Sequence, residues 1–154
     1  NMAGIRVQAE YEELIQELTS KPKSSKKEKI FPTIAHFLIF AGAFGYQKQK
    51  KIETKKARQD TVIDNIFDNA KLQVHIYAAA LAEAKTIEIL KDKDICYKIF
   101  ENYVNGGLEE INKIRKKFGE TDEFVQEMLN KINTIASENV HFEPEPLDPD
   151  ELNI

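Results

Sequence analysis

Residues 31–51 read FPTIAHFLIFAGAFGYQKQKK, a nearly unbroken apolar run that ends near a glycine and turns at once into lysines. Two physical readings compete. The run is either a membrane anchor with a cationic flank, or a buried helix that sets positive charge where the chain meets water. Length decides between them. Ile34 to Tyr46 is 13 residues, which as a helix would span about 20 Å against about 30 Å of hydrocarbon. His36 interrupts the run, and no second apolar stretch follows it. A helix apolar on nearly every face is expected at the centre of a bundle, covered all round. Pro32 opens it, Thr33 is a plausible N-cap, and Gly42 is a point where another backbone could come close. Gly45 reads as the left-handed residue that ends the helix.

The formal net charge of −4 hides a segregation. Residues 1–20 carry −3, residues 21–58 carry +9, and residues 59–154 carry −10. Net charge alone argues against a polyanionic partner, whereas this distribution leaves one open. Lys48, Lys50, Lys51, Lys55, Lys56 and Arg58 fall within eleven positions after the apolar run. The opening pattern therefore reads as a rigid buried rod with a cluster of cations at its solvent end.

Outward from that centre, the chain reads as helical. An IRV segment near the start could form a short strand. In AEYEELIQELTS, Tyr11, Leu14, Ile15 and Leu18 recur at helical spacing. KPKSSKKEK, residues 21–29, is polar and lysine-rich, the composition of a loop. Val62, Ile63, Ile66, Phe67 and Ala70 form one helical stripe, with Asp60, Asp64 and Asp68 on a solvated one. The alanines of LQVHIYAAALAEA suit two closely packed helices. A KDKD break precedes ICYKIFENYV, and Asn105-Gly106-Gly107 reads as a helix interruption, since each glycine costs about 1 kcal/mol inside a helix. Leu108, Ile111, Ile114 and Phe118 resume the pattern until Gly119. Thr121 would cap a last helix that presents Phe124, Val125, Met128, Leu129, Ile132 and Ile135.

The expected architecture is a single-domain, all-α bundle of about six helices over residues 1–142, with a short N-terminal strand as an option. Its lysine-rich loops would lie near 21–29 and 47–58. Residues 143–154 form an acidic tail with three prolines and five carboxylates, extended or disordered by composition. A chain of 154 residues is long enough to bury a core without staples. Its single cysteine, Cys96, excludes an internal disulfide and fits a reducing, cytoplasmic setting. No cationic–apolar–small leader opens it, and Asn1 reads as a remnant ahead of a native start at Met2.

No catalytic constellation emerges, and neither a metal site nor a cofactor site is expected. His36, His75 and His141 share no ligand spacing with one another or with Cys96, and His75 suits a hydrogen-bonded place inside an apolar helix. Cys96 is most simply a small buried hydrophobe. Glu83-Ala84-Lys85 resembles half of a metal-dependent nuclease site, with Asp60, Asp64 or Asp68 as the distant acid. That chemistry displays its carboxylates from a sheet, whereas these residues fall on expected helices. The functional reading of the cationic stretch is contact with nucleic-acid phosphates; the plain reading is a solvated loop. Lysine outnumbers arginine, so contact with backbone rather than bidentate base readout is expected. Tyr46 and Phe31 suit core packing better than base stacking. Asn105-Gly106-Gly107 could also be a hinge or a partner contact, although an ordinary break is simpler.

Four segments together carry a resemblance: IRVQAEYEELIQEL, FPTIAHFLIFAGAFGYQ, LQVHIYAAALAE and IFENYVNGGLEEI. In this order, over roughly residues 4 to 118, they resemble the small DNA phosphorothioation-associated proteins known as Dnd system-associated protein 4. His36 and Gly42 depart from the more polar and alanine-like residues expected there. The resemblance implies an accessory protein of a bacterial system that replaces a backbone phosphate oxygen with sulfur, beside linked restriction and phage-defence components. It implies other proteins of that system as partners and supplies no active-site residues. The alternative is a protein-interaction or assembly module without nucleic-acid contact.

Overall fold

A computed structural model describes residues 3–20, 30–119 and 122–137. The lysine-rich segment 21–29, Thr121, His141 and the tail 143–154 lie outside the described residues. Strand β1 (Gly4–Ile5) leads through a 3₁₀ turn at Ala9–Tyr11 into helix α1 (Glu12–Thr19). There follow α2 (Ile34–Gln47), β2 (Val62–Ile63), α3 (Asp64–Asn69) and α4 (Gln73–Ala84). A second 3₁₀ turn at Ile87–Lys91 precedes α5 (Lys93–Phe118), and α6 (Asp122–Ser137) follows it. The fold is all-α with a short antiparallel ribbon at the N-terminus, as expected.

Helix α2 begins where the sequence indicated, since the Thr33 hydroxyl accepts the His36 N–H at 3.2 Å. It buries Ala35, Phe37, Leu38, Phe40, Ala41, Ala43 and Phe44, under cover from α1, α4, α5 and α6. Each fully buried large side chain contributes about 1.5–3 kcal/mol relative to exposure. Phe31, also buried, sets its ring at a tilt 5.0 Å from Phe37 and 5.4 Å from Phe40.

Gly45 does not end the helix. α2 runs two residues further, to Gln47, and the left-handed residue is Gln49 at φ 52°. Gly45 instead sits at a backbone-to-backbone contact with α5. A Cβ there would run into the carbonyl oxygen of Tyr103 and come within 2.9 Å of the Gly107 nitrogen. A Cβ on Gly107 would likewise strike the Ala41 carbonyl and approach the Gly45 nitrogen to 3.0 Å. Gly42, where close backbone approach was expected, meets the Phe100 ring.

The Asn105-Gly106-Gly107 triplet is thus no interruption. α5 passes through it for 26 residues, about 39 Å, because tertiary contact outweighs the glycine penalty. Val62 and Ile63 also depart from the helical stripe: they pair with Ile5 and Gly4 in the ribbon. Tyr77 meets Tyr97 at 6.2 Å, and Glu83 accepts a 2.7 Å hydrogen bond from the Tyr103 hydroxyl. The offset in sequence is the same for both pairs, so α4 and α5 run side by side in one direction and residues 85–92 double back between them. No described helix is long and apolar enough to cross a membrane.

Helix propensity alone predicts that Gly107→Ala stabilises the chain by about 1 kcal/mol. The packing predicts the opposite sign, a loss of about 2–3 kcal/mol from overfilling. Urea unfolding of the variant decides between them.

Candidate nucleic-acid interface

The cationic stretch leaves α2 as an extended segment whose backbone is fastened at successive points. The Lys50 N–H donates to the Gly45 carbonyl (2.9 Å) and the Ile52 N–H to the Asn102 carbonyl (2.9 Å). Both the Lys55 and Lys56 N–H groups donate to Gln8 Oε1, at 3.0 and 2.9 Å. Beyond them, the Ala9 N–H reaches the Lys56 carbonyl (2.8 Å) and the Arg58 N–H the Val7 carbonyl (2.7 Å). Lys50 also lays its carbonyl against Gly106, where a Cβ would collide with it.

The anchor behind these ties is polar and buried. Asn105 has no exposed surface. Its Oδ1 accepts the Gln8 N–H at 3.0 Å, while its Nδ2 donates to the Arg6 carbonyl (3.1 Å), Thr54 Oγ1 (2.9 Å) and the Glu101 carbonyl (3.0 Å). One helical turn earlier, Glu101 Oε1 accepts the Arg6 N–H at 2.6 Å. Glu101 also takes the Arg6 guanidinium and the Lys98 ammonium on its carboxylate. Two side chains of α5 thereby act as the backbone partner of residues 6–8.

The six cations then divide. Lys50 Nζ binds Glu109 at 2.5 Å and Glu110 at 2.7 Å, with Lys113 closing the group at 3.3 Å from Glu110. Hydrogen bonds to Glu109 and Glu110 push the Lys50 ammonium above its usual range, and Lys50 holds both carboxyls below theirs. Lys51 Nζ bonds Glu83 at 2.7 Å, on the same carboxylate oxygen that accepts from Tyr103. Arg58 grips both carboxylate oxygens of Glu12 and donates to the Asp60 carbonyl. Its side chain is only 7% exposed, and its hydrogen bonds hold the Glu12 carboxyl below the usual range.

Lys48, Lys55 and Lys56 are exposed, and no ion pair joins them to a carboxylate among the described residues. Lys48 caps α2, with its ammonium 5.7 Å from the centre of the Phe44 ring, where the helix dipole favours a cation. Lys116 and Lys117 are exposed too, in the last turn of α5. The RKK run at 115–117 was the signal that could have marked them.

The nuclease constellation does not assemble. Glu83 is committed to Lys51 and Tyr103, and Lys85 is the left-handed cap of α4 at φ 57°. Asp64, expected on a solvated face, is 8% exposed and paired with Lys93 at 2.5 Å, which holds its carboxyl low. Its stripe is broken because residues 62–63 are strand. Among the described residues, no group of three or more His, Cys, Asp or Glu could hold a metal ion. Cys96 is buried and donates to the Ile89 carbonyl (3.2 Å), and burial raises its thiol. His75 is exposed on α4 rather than buried.

The profile of the family described as DNA sulphur modification system-associated protein 4 matches residues 4–145. The chain belongs to that family. The match reaches through α6, beyond the 4–118 over which the resemblance was read, so the last helix is part of the family's fold. No curated protein and no solved structure matches the chain.

Asn105→Ala strands the Gln8 N–H and leaves the Arg6 carbonyl only the Thr54 hydroxyl at 3.4 Å, and should cost about 1–3 kcal/mol, the cost of one orphaned buried group. Hydrogen exchange at the Gln8 amide should accelerate with it, and unchanged exchange there would count against the anchor. The lowered carboxyls of Glu12, Asp64, Glu109 and Glu110 bind fewer protons folded than unfolded. Their stabilisation is present above the ordinary carboxylate range, about 4, and fades as pH falls below it. Urea midpoints should therefore hold from neutrality to about pH 5 and drop steadily beneath that.

Proposed function

We propose that this protein is a non-enzymatic accessory of a bacterial DNA phosphorothioation-linked modification and restriction system, acting in the cytoplasm in phage defence. It works by binding other proteins of that system and the DNA backbone. In this reading Lys48, Lys55 and Lys56 meet phosphates, while Lys50, Lys51 and Arg58 brace the segment that carries them. The supporting observation is the division of the cations: three are clasped by carboxylates on α1, α4 and α5, and three are exposed on a backbone fixed at several points. Family membership supplies the system, and the exposed lysines supply a means of touching its substrate. Lysine, a compact strongly hydrated charge, suits phosphate contact without sequence readout.

The same ion pairs also favour a second reading, an assembly module that meets partner proteins and no nucleic acid. Fluorescence anisotropy with a duplex distinguishes the two. Three phosphate contacts give a log–log salt slope of about −2.7, against about −4.5 if some five of the cations engage. Changing Lys48, Lys55 and Lys56 to Glu should abolish binding, whereas Lys50→Gln should act on stability first. No binding at about 50 mM salt, where phosphate contacts are strong, would leave the assembly reading alone.

A further inference from the structure

We infer that Arg6 and Lys98, held over the buried carboxylate of Glu101, form a binding site for one phosphate group. The inference rests on the reading above only for the identity of that phosphate, a link of the DNA backbone, and it adds a contact outside residues 48–58.

Reversed exposure carries it first. The chain has three arginines, and each is held by a glutamate: Arg6 by Glu101, Arg58 by Glu12 and Arg115 by Glu17. In the last two pairs the arginine is the more buried partner and the carboxylate the more exposed one. Arg6 inverts that order, since its side chain is 48% exposed and that of Glu101 only 2%. Lys98, itself 41% exposed, shares the same carboxylate. Solvent therefore meets two cations here, while their shared counter-charge lies beneath them.

Geometry makes the two cations a single site. Arg6 Nη2 and Lys98 Nζ both donate to Glu101 Oε2, at 3.3 and 3.0 Å, so one tetrahedral oxyanion can span the gap between them. Arg6 Nε donates to Oε1 at 3.3 Å, and the Arg6 backbone N–H does so at 2.6 Å. Glu101 thus takes one edge of the guanidinium, through Nε and one Nη2 hydrogen. The other edge, made by Nη1 and the second Nη2 hydrogen, donates to no acceptor among the described residues, and its two parallel N–H groups match a pair of phosphate oxygens. Lys98 spends one ammonium hydrogen on Glu101 and keeps two. A buried carboxylate so placed fixes where both cations stand, which lowers the ordering cost of binding. One turn along α5, Asn105 ties the Arg6 carbonyl to Thr54 Oγ1, so the site borders the cationic segment without depending on its side chains.

The test uses the full chain. Nitrogen-15 spectra of the arginine Nε–H groups give one signal for each of the three, and Arg6→Lys identifies that of Arg6. Inorganic phosphate, titrated against chloride at matched ionic strength, should shift the Arg6 signal to saturation and leave Arg58 and Arg115 in place. Lys98→Gln should weaken that response about tenfold, the scale of one charge-assisted hydrogen bond. Lys91→Gln, which removes the cation of a like pair three residues apart, should not. No shift, an equal shift at all three arginines, or an unweakened response in Lys98→Gln overturns the site.

Fluorescence anisotropy then identifies the phosphate. Arg6→Gln, Lys98→Gln and Glu101→Gln together remove the buried charge with its partners and change net charge by the same one unit as Lys91→Gln. That triple variant should flatten the log–log salt slope of duplex binding by about 0.9, one phosphate contact, and Lys91→Gln should leave it unchanged. Should the triple variant fold poorly, a tenfold loss of duplex affinity in Lys98→Gln carries the same information. Duplex binding that neither change weakens overturns the backbone assignment. If the unaltered chain binds no duplex, the DNA reading falls, while the phosphate titration still decides the site.

Discussion

Helices α2 and α5 meet backbone to backbone, and the remaining elements take their places from that contact. Gly45 and Gly107 remove the two side chains that would hold the axes apart, and the Ala41 and Tyr103 carbonyls occupy the space. Close approach brings Phe100 over Gly42. It also presents Glu101 and Asn105 to the N-terminal segment, and Glu109 and Glu110 to Lys50. An α5 displaced outward by one methyl group would loosen both the apolar centre and the polar ties, because the same helix carries them on different faces.

The ion pairs around residues 48–58 are best understood as fasteners. Exposed pairs contribute little, roughly 0–1 kcal/mol each, but these have features that ordinary surface pairs lack. Arg58 meets Glu12 through two nitrogens while nearly buried, and Lys50 serves two carboxylates at once. Together with the backbone bonds to Gln8, they fix an irregular segment that has no helix or strand of its own beyond one bridge between Ala57 and Gln8. Rigid display of a few charges costs less ordering on binding than a floppy lysine loop would.

Much of the fold was legible because apolar periodicity reports burial directly. The face of α1, the Thr33 cap, the central burial of α2 and the stop at Gly119 all follow from local rules. The misreadings share a cause. Gly45, Gly106 and Gly107 look like helix breakers to any local rule, and only a second helix reveals them as contact surface. Val62 and Ile63 suit a helix or a strand equally, and their partner lies some sixty residues away. At the candidate site the positions of the cations could be read, but not their occupancy. Nothing in KQKKIETKKAR distinguishes Lys50, clasped by glutamates of α5, from Lys55, which faces water. The anchoring role of Asn105 was equally hidden, since it depends on Arg6 and Gln8 at the far end of the chain.

The N-terminal ribbon has one further consequence. Residues 3, 7 and 9 bond toward the 56–64 side, while Arg6 and Gln8 bond the other way, into the carboxylate and amide of α5. A two-stranded ribbon ordinarily offers an open row of donors and acceptors that can template an added strand from another molecule. Here the outward groups of Arg6 and Gln8 are taken by Glu101, Asn105 and the Tyr11 N–H, so the molecule presents no open row along that stretch of the N-terminal segment. It can crowd against its own copies, or against partners in an assembly, without recruiting them by strand addition at that position.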